Sequence, residues 1–291
     1  MMRIAVWGQD LNEEYLRTVT QLGVHAIDMG SGQAFPGVRE QGYPDSSALR
    51  SLVHKLRPYG LRFNRVTLPD ITEEFSIGED GSQKEVENTC RALRVFADAG
   101  IPIARQRFAG DTSNHRLLRY KSKHRGGYHA RGESLALSPS IQEPSSLEQI
   151  NAWWDRFCAV YEKLVPIADE YGIRLAIHPS DSPLPETPLG NLGFHRVIDA
   201  FPSPNVGYLY CCGTRAEEGG PPLVLDEINM YGRMERIFTV HLRNVRGNLS
   251  TSGGFEEVLL DDGDMNPFRI IQELKRIGFN GCINPDHLQE I

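Results

Sequence analysis

The stretch Gly172-Ile173-Arg174-Leu175-Ala176-Ile177-His178-Pro179 decides how the fold is read. Gly172 can end a helix in the left-handed conformation, Ile173 to Ile177 is an apolar run of strand length, and Pro179 stops it. Before it, Ser146 to Tyr171 reads as one long helix. Working outward, the same unit recurs. Arg3 to Trp7, His25 to Met29, Leu61 to Thr67 and Pro102 to Phe108 read as strands one to four. Helices fall near Leu11 to Leu22, Ser46 to Arg57 and Gln83 to Ala99, with Gly23, Gly60 and Gly100 after them. Beyond the fifth strand, Val206 to Tyr210, Ile237 to Leu242 and Gly281 to Asn284 read as strands six to eight, the last after Gly278. Helices near Leu192 to Ala200, Leu223 to Met234 and Pro267 to Ile277 separate them. Eight strands, each followed by a crossover, predict an α/β fold of the (β/α)8 TIM-barrel type. No G-x-G-x-x-G turn follows the first strand, which argues against an open doubly wound sheet.

Composition agrees with one barrel. A chain of 291 residues and 32.7 kDa buries about three quarters of its extended surface on folding, enough for a single domain spanning 1–291. Hydrophobic residues make up 40%, charged residues 24% and mean hydropathy is -0.37, as in ordinary globular proteins. No apolar run approaches the roughly 20 residues of a membrane-spanning helix, and the start lacks a secretory signal, so a cytoplasmic protein without membrane attachment is expected. The net charge of -7 argues against nucleic acid as a partner, because the polyanion needs a basic surface. Five scattered cysteines are expected as reduced thiols.

Two insertions interrupt the repeat, at about 109–144 after strand four and 243–266 after strand seven. Both follow strand C-termini, the face on which such barrels carry active sites. Few residues follow the eighth strand, so the last outer helix is expected to be missing or truncated. A partner subunit would then cover the strand surface, which predicts a homo-oligomer.

Strand five runs into His178, strand six into Cys211 and Cys212, strand seven into His241 and strand eight into Asp286 and His287. A single His at a strand end is ordinarily a hydrogen-bonded structural residue. Imidazole, thiolate and carboxylate from four neighbouring strands can instead surround one divalent ion. Cys211 continues its strand, while Cys212 points to the other side.

These residues sit in longer motifs: His178-Pro179-Ser180-Asp181-Ser182-Pro183, Cys211-Cys212-Gly213-Thr214, His241-Leu242-Arg243-Asn244-Val245-Arg246, Gly263-Asp264-Met265 and Pro285-Asp286-His287. In order and separation they resemble the mannonate dehydratase family of xylose-isomerase-like barrels, over roughly Leu164 to His287. The resemblance implies that His178, Cys211, His241 and Asp286 bind one Mn2+ or Fe2+. It also implies a lyase that takes water from a small-molecule sugar acid, D-mannonate giving 2-keto-3-deoxy-D-gluconate. The chain departs from the family pattern at Ser180, where a second Asp is usual, in lacking a tryptophan-rich segment after strand four, and in ending at Ile291 before a tail with a tyrosine.

A proton beside a carboxylate is very weakly acidic, so its removal needs a cation to hold the developing charge, and the departing hydroxyl must be protonated. Asp286 and His287 are the candidate catalytic residues; both reach one substrate only if the chain turns at Pro285. Arg105, Arg107, Arg243 and Asn244 are the candidate substrate-binding residues, with Arg105 and Arg107 on one face of strand four and Gln106 on the other. Trp7 could wall the pocket or sit in the core. From His115 to Arg131 the chain carries six Lys or Arg, three His and no acid, and reads either as a solvated loop or as a cationic lid hinged at Gly126-Gly127. A sugar isomerase or epimerase on the same barrel, or a non-catalytic sugar-acid-binding protein, are the alternative functions.

Overall fold

Helix ends and the strand starts after them fall close to where the Gly signals put them. The structure, a computed structural model, describes residues 1–291 except 9, 73–74, 76–81, 110–116, 138–144, 182, 185–186 and 288–291, and except the side chains of 191 and 192. Its strands are β1 (Arg3–Trp7), β2 (Ala26–Asp28), β3 (Arg62–Thr67), β4 (Ile103–Arg105), β5 (Leu118–Lys123) and β6 (His129–Ser134). They continue with β7 (Arg174–Ile177), β8 (Val206–Cys211), β9 (Ile237–His241), β10 (Asn244–Asn248), β11 (Gly254–Val258) and β12 (Cys282–Asn284). Eight of them close a barrel in the order β1-β12-β9-β8-β7-β4-β3-β2, every pair parallel, as expected for a (β/α)8 fold.

The helix Leu147–Tyr171 shows how sequence sets these boundaries. Ser146 and Gln149 form a reciprocal capping box, and Gly172 ends the helix at φ 67°. Its Phe157 and Tyr161 stack at 4.3 Å and meet Phe108 beyond β4, so this helix is bolted to the barrel by aromatic packing. The helix expected from Leu223 instead begins at Cys212 and runs to Arg233, broken at Gly220 where φ is 72°. Gly219-Gly220-Pro221-Pro222 reads as a helix breaker and conceals the first half. That half is buried, and Arg215 within it pairs with Glu218 and with Glu227 at 2.7 Å.

The two insertions, read separately in the sequence, fold together. β5 and β6 form a hairpin that pairs antiparallel with β11 and through it with β10, giving a second sheet β10-β11-β6-β5. As far as it is described, the basic stretch is this hairpin rather than a loop, with Gly126 and Gly127 at its turn; His115 and Arg116 lie outside the described residues. Arg131 pairs with Glu133 at 3.0 Å and Glu257 at 3.6 Å, His124 meets Glu256 at 2.8 Å, and Arg125 holds Asp261. The helix expected to be missing after the last strand would also fall outside the described residues.

Inside the barrel, Ile103, Ala176, Leu209 and Phe238 form a small apolar layer. A polar layer shares the interior. Asn64 donates to Asp28 at 2.7 Å and Thr239 at 3.1 Å, and Asn284 donates to the other Asp28 oxygen at 2.8 Å. Buried polar groups at this density persist because each finds a partner. The C-terminal ends of the strands then carry the chemistry.

Candidate metal centre

Parallel register sets the first three residues. Cys211, the last residue of β8, pairs across with His241, the last of β9, and His241 pairs with Asn284 of β12. His178 directly follows β7. A bulge at Phe238, where Tyr208 pairs with Ile237 but Leu209 with Thr239, resets the alternation ahead of His241. The outcome is one cluster: a ligand atom from each of His178, Cys211 and His241 lies within 4.8 Å of the other two, and all three residues are buried.

Asp286 reaches the cluster through a turn. It adopts φ 64°, a left-handed conformation that Asp tolerates better than most residues, and its N–H donates to Asn284 Oδ1 at 2.9 Å. Its Oδ1 lies 3.3 Å from His241 Nδ1, and the Cys211 thiol donates to its Oδ2 at 3.9 Å. His287 follows with Nε2 3.7 Å from Asp286 Oδ2 and Nδ1 3.3 Å from Glu257 Oε2. The turn after Pro285 thus brings both adjacent side chains to the same place.

The donor chemistry suits a divalent ion. Both ring nitrogens of His241 are shut off from water and neither is hydrogen-bonded among the described residues, Nδ1 facing Asp286 Oδ1 at 3.3 Å without forming such a bond. A buried imidazole left so would be costly unless something else meets it. Burial and the nearby Arg105 hold His178 well below the usual range, and burial brings His241 down to about 4, so both rings are neutral near pH 7 and able to ligate. His178 Nδ1 faces Pro179 O at 2.6 Å, which leaves Nε2 to face the cluster. Burial and Asp286 push the Cys211 thiol up to about 12, although Thr214 Oγ1 donates to the sulfur at 3.2 Å. Burial would raise Asp286 too, but it is lowered instead, by His241 where that ring is charged in acid and by Arg243 at 3.1 Å throughout, so the carboxylate stays ionised near pH 7. Cys212 belongs to the main apolar core and contributes no atom to the cluster.

The four residues expected to bind substrate are placed differently from one another. Arg105 ends β4 and lies close enough to His178 to depress its protonation, while Gln106 turns outward to Thr89. Arg107 meets Asp70 at 3.7 Å. Arg243 is taken up by protein partners: Asp286 at 3.1 Å, Glu257 at 3.1 Å, Thr214 at 3.2 Å and Glu217. Asn244 donates to Leu260 O at 2.7 Å and Met265 O at 2.9 Å and accepts from Val245 and Met265, so its amide pins the second insertion. Trp7 borders the cluster, its ring centroid 5.2 Å from that of His241. Glu217 and Glu257 carry no sequence signal. The first hides in the broken helix, and the second reaches Arg243 and His287 only through antiparallel pairing across β10 and β11.

Comparison with known proteins fixes the family. The model of the D-mannonate dehydratase (UxuA) family matches residues 142–291, a little over half the chain. The chain belongs to the D-mannonate dehydratase family. Among relatives in that family, mannonate dehydratase 2 of Halalkalibacterium halodurans is 24% identical over 266 residues, covering 81% of this chain and 76% of its own. Mannonate dehydratase of Thermotoga maritima is 24% identical over 302 residues, covering 90% and 80%. The enzyme of Geobacillus thermodenitrificans reaches 35% identity, but over 134 residues, 43% of this chain and 35% of its own. The solved mannonate dehydratase from Streptococcus suis serotype 2 superposes with a TM-score of 0.82 at 20% identity, over 100% of this chain and 86% of that one. D-psicose 3-epimerase from Clostridium cellulolyticum H10 shares the barrel at a TM-score of 0.59 and 13% identity, over 97% and 84%.

Proposed function

We propose that this protein dehydrates an aldonate, converting D-mannonate to 2-keto-3-deoxy-D-gluconate, with His178, Cys211, His241 and Asp286 holding one Mn2+ or Fe2+. The observation that carries the proposal is His241: a buried imidazole with neither nitrogen hydrogen-bonded among the described residues, set among a thiol, a second imidazole and a carboxylate, in a member of this family. A divalent cation bound there supplies Lewis acidity toward the negative charge that develops beside the substrate carboxylate.

The protein's own groups do the rest. The C2–H bond breaks, the C3 hydroxyl leaves as water, and the resulting enol becomes the 2-keto acid by taking a proton at C3. His287 is placed to move protons at the substrate: it is half-exposed, and Glu257 on one side orients the ring toward Asp286 on the other. Asp286, kept ionised by Arg243, serves better as a ligand than as a base. Arg105 and Arg107, on the opposite side of the barrel mouth from β9 and β12, receive the substrate's anionic end. Arg243 and Asn244 support the site by holding Asp286 and the second insertion. The chain acts as one domain on a small molecule, consistent with its net charge of -7.

Incubating the protein with Mn2+ or Fe2+ and a panel of aldonates, then assaying for 2-keto-3-deoxy acids, tests the proposal. D-Mannonate should give that product, and chelation should abolish it. An epimer in place of the keto acid would assign the site to sugar epimerisation, and binding without turnover to a non-catalytic role.

A further inference from the structure

Arg65 has none of the roles described so far, and its position is unusual. Ile27 pairs with Phe63 but Asp28 with Arg65, so Asn64 is an extra residue in β3. Such a bulge turns successive side chains to one side. Asn64 reaches Asp28 and Thr239 within the barrel, and Arg65 lays its guanidinium over the Trp7 ring at 4.9 Å, the same ring that meets His241.

Arg65 is 0% exposed. Nη1 donates to Thr67 Oγ1 at 3.0 Å, while Nε and Nη2 are shielded from water and find no hydrogen-bond partner among the described residues. Nε and Nη2 form one edge of the guanidinium, the edge that grips a carboxylate with two parallel hydrogen bonds. Buried cationic donors are ordinarily met, because leaving them unmet is costly. Asp28 and Asp286 favour the charge from a distance, whereas Arg105 and Arg107 oppose it, and burial brings Arg65 down to about 10. Several guanidinium groups therefore lie near one another at the barrel mouth, and the carboxylate-shaped edge of Arg65 is covered but has no hydrogen-bond partner among the described residues.

We propose that the Nε–Nη2 edge of Arg65, with Arg105 on the neighbouring strand, seats the substrate's carboxylate and makes the site select a sugar acid over the neutral sugar alcohol. This rests on the sugar-acid reading above. Trp7 backs Arg65, whose guanidinium is shielded from water, which strengthens each charge-assisted hydrogen bond it makes.

Binding of D-mannonate and of D-mannitol to the full-length chain, metal-loaded, separates the possibilities by calorimetry. In Arg65→Met, which keeps much of the volume, D-mannonate should bind about 10- to 100-fold more weakly while D-mannitol and the metal content stay within about twofold. Arg65→Lys should recover only part of the loss, since an ammonium lacks the two-pronged edge. It also reads the preference should the Met variant fail to fold. Unchanged D-mannonate affinity in either folded variant, or equal loss toward both ligands, would overturn the proposal. A parent chain that binds D-mannitol as well as D-mannonate would overturn it together with the sugar-acid reading. A parent that binds D-mannonate without releasing a keto acid would overturn dehydration alone, with the Arg65 comparison still read from binding.

Discussion

Arg243 Nε lies 3.1 Å from Asp286 Oδ2 in a buried ion pair, and the same guanidinium reaches Glu217 and Glu257. One side chain thus ties the last barrel strand to the broken helix and to the insertion sheet. Removing one member of a buried ionic network leaves the others uncompensated, at a cost of about 3–5 kcal/mol. Arg243→Gln should lose stability of that order in urea unfolding and should bind metal more weakly through a misplaced Asp286. A loss below about 1 kcal/mol would show that the network is not structural.

Cys211 and Cys212 are adjacent and equally buried, yet only Cys211 lies with the two histidines. Cys211→Ser should weaken Mn2+ or Fe2+ binding at least about tenfold, because hydroxyl is a poorer ligand than thiolate. Cys212→Ser should leave metal content near the parental level. Equal metal in both variants, measured by elemental analysis, would remove Cys211 from the ligand set.

Metal uptake should release one proton. With its thiol pushed up to about 12, Cys211 is protonated at neutral pH and must lose that proton to ligate. His178 and His241 are held below their ordinary values, His241 at about 4, and have none to give above pH 6.5. Affinity should therefore rise about tenfold per pH unit from pH 6.5 to 8.5. Titration calorimetry in buffers of different ionisation enthalpy counts the protons; a value of two would mean a histidine is charged in the free protein.

Phe255 of β11 packs with Leu117 and Leu184, joining the insertion sheet to the segment after β7. Phe255→Ala should destabilise this region by about 3 kcal/mol and speed amide exchange in β10, β11 and β6 more than in the barrel strands. Uniform acceleration throughout would show that the two sheets unfold as one.

Much of this was legible in the sequence because barrel strands are short, local and bounded by glycine. The strand ends carrying His178, Cys211 and His241 followed from that register, while the place of Asp286 depends on the turn after Pro285. What escaped depends on non-local pairing. No periodicity in 109–144 or 243–266 signals that β6 and β11 pair, so the partners of Arg131 and the approach of Glu257 to His287 were hidden. Arg65 escaped because strict alternation along β3 fails at the Asn64 bulge. The helix before Leu223 escaped because Gly220-Pro221-Pro222 looks like a loop.

The most direct test of the central claim is the reaction with D-mannonate in D2O with the metal-loaded protein, followed by mass spectrometry and NMR. Loss of the C3 hydroxyl through an enol predicts a keto acid lighter than the substrate by water and carrying one carbon-bound deuterium, at C3. Deuterium at C2 of an undehydrated aldonate, or recovery of unlabelled D-mannonate, would contradict it.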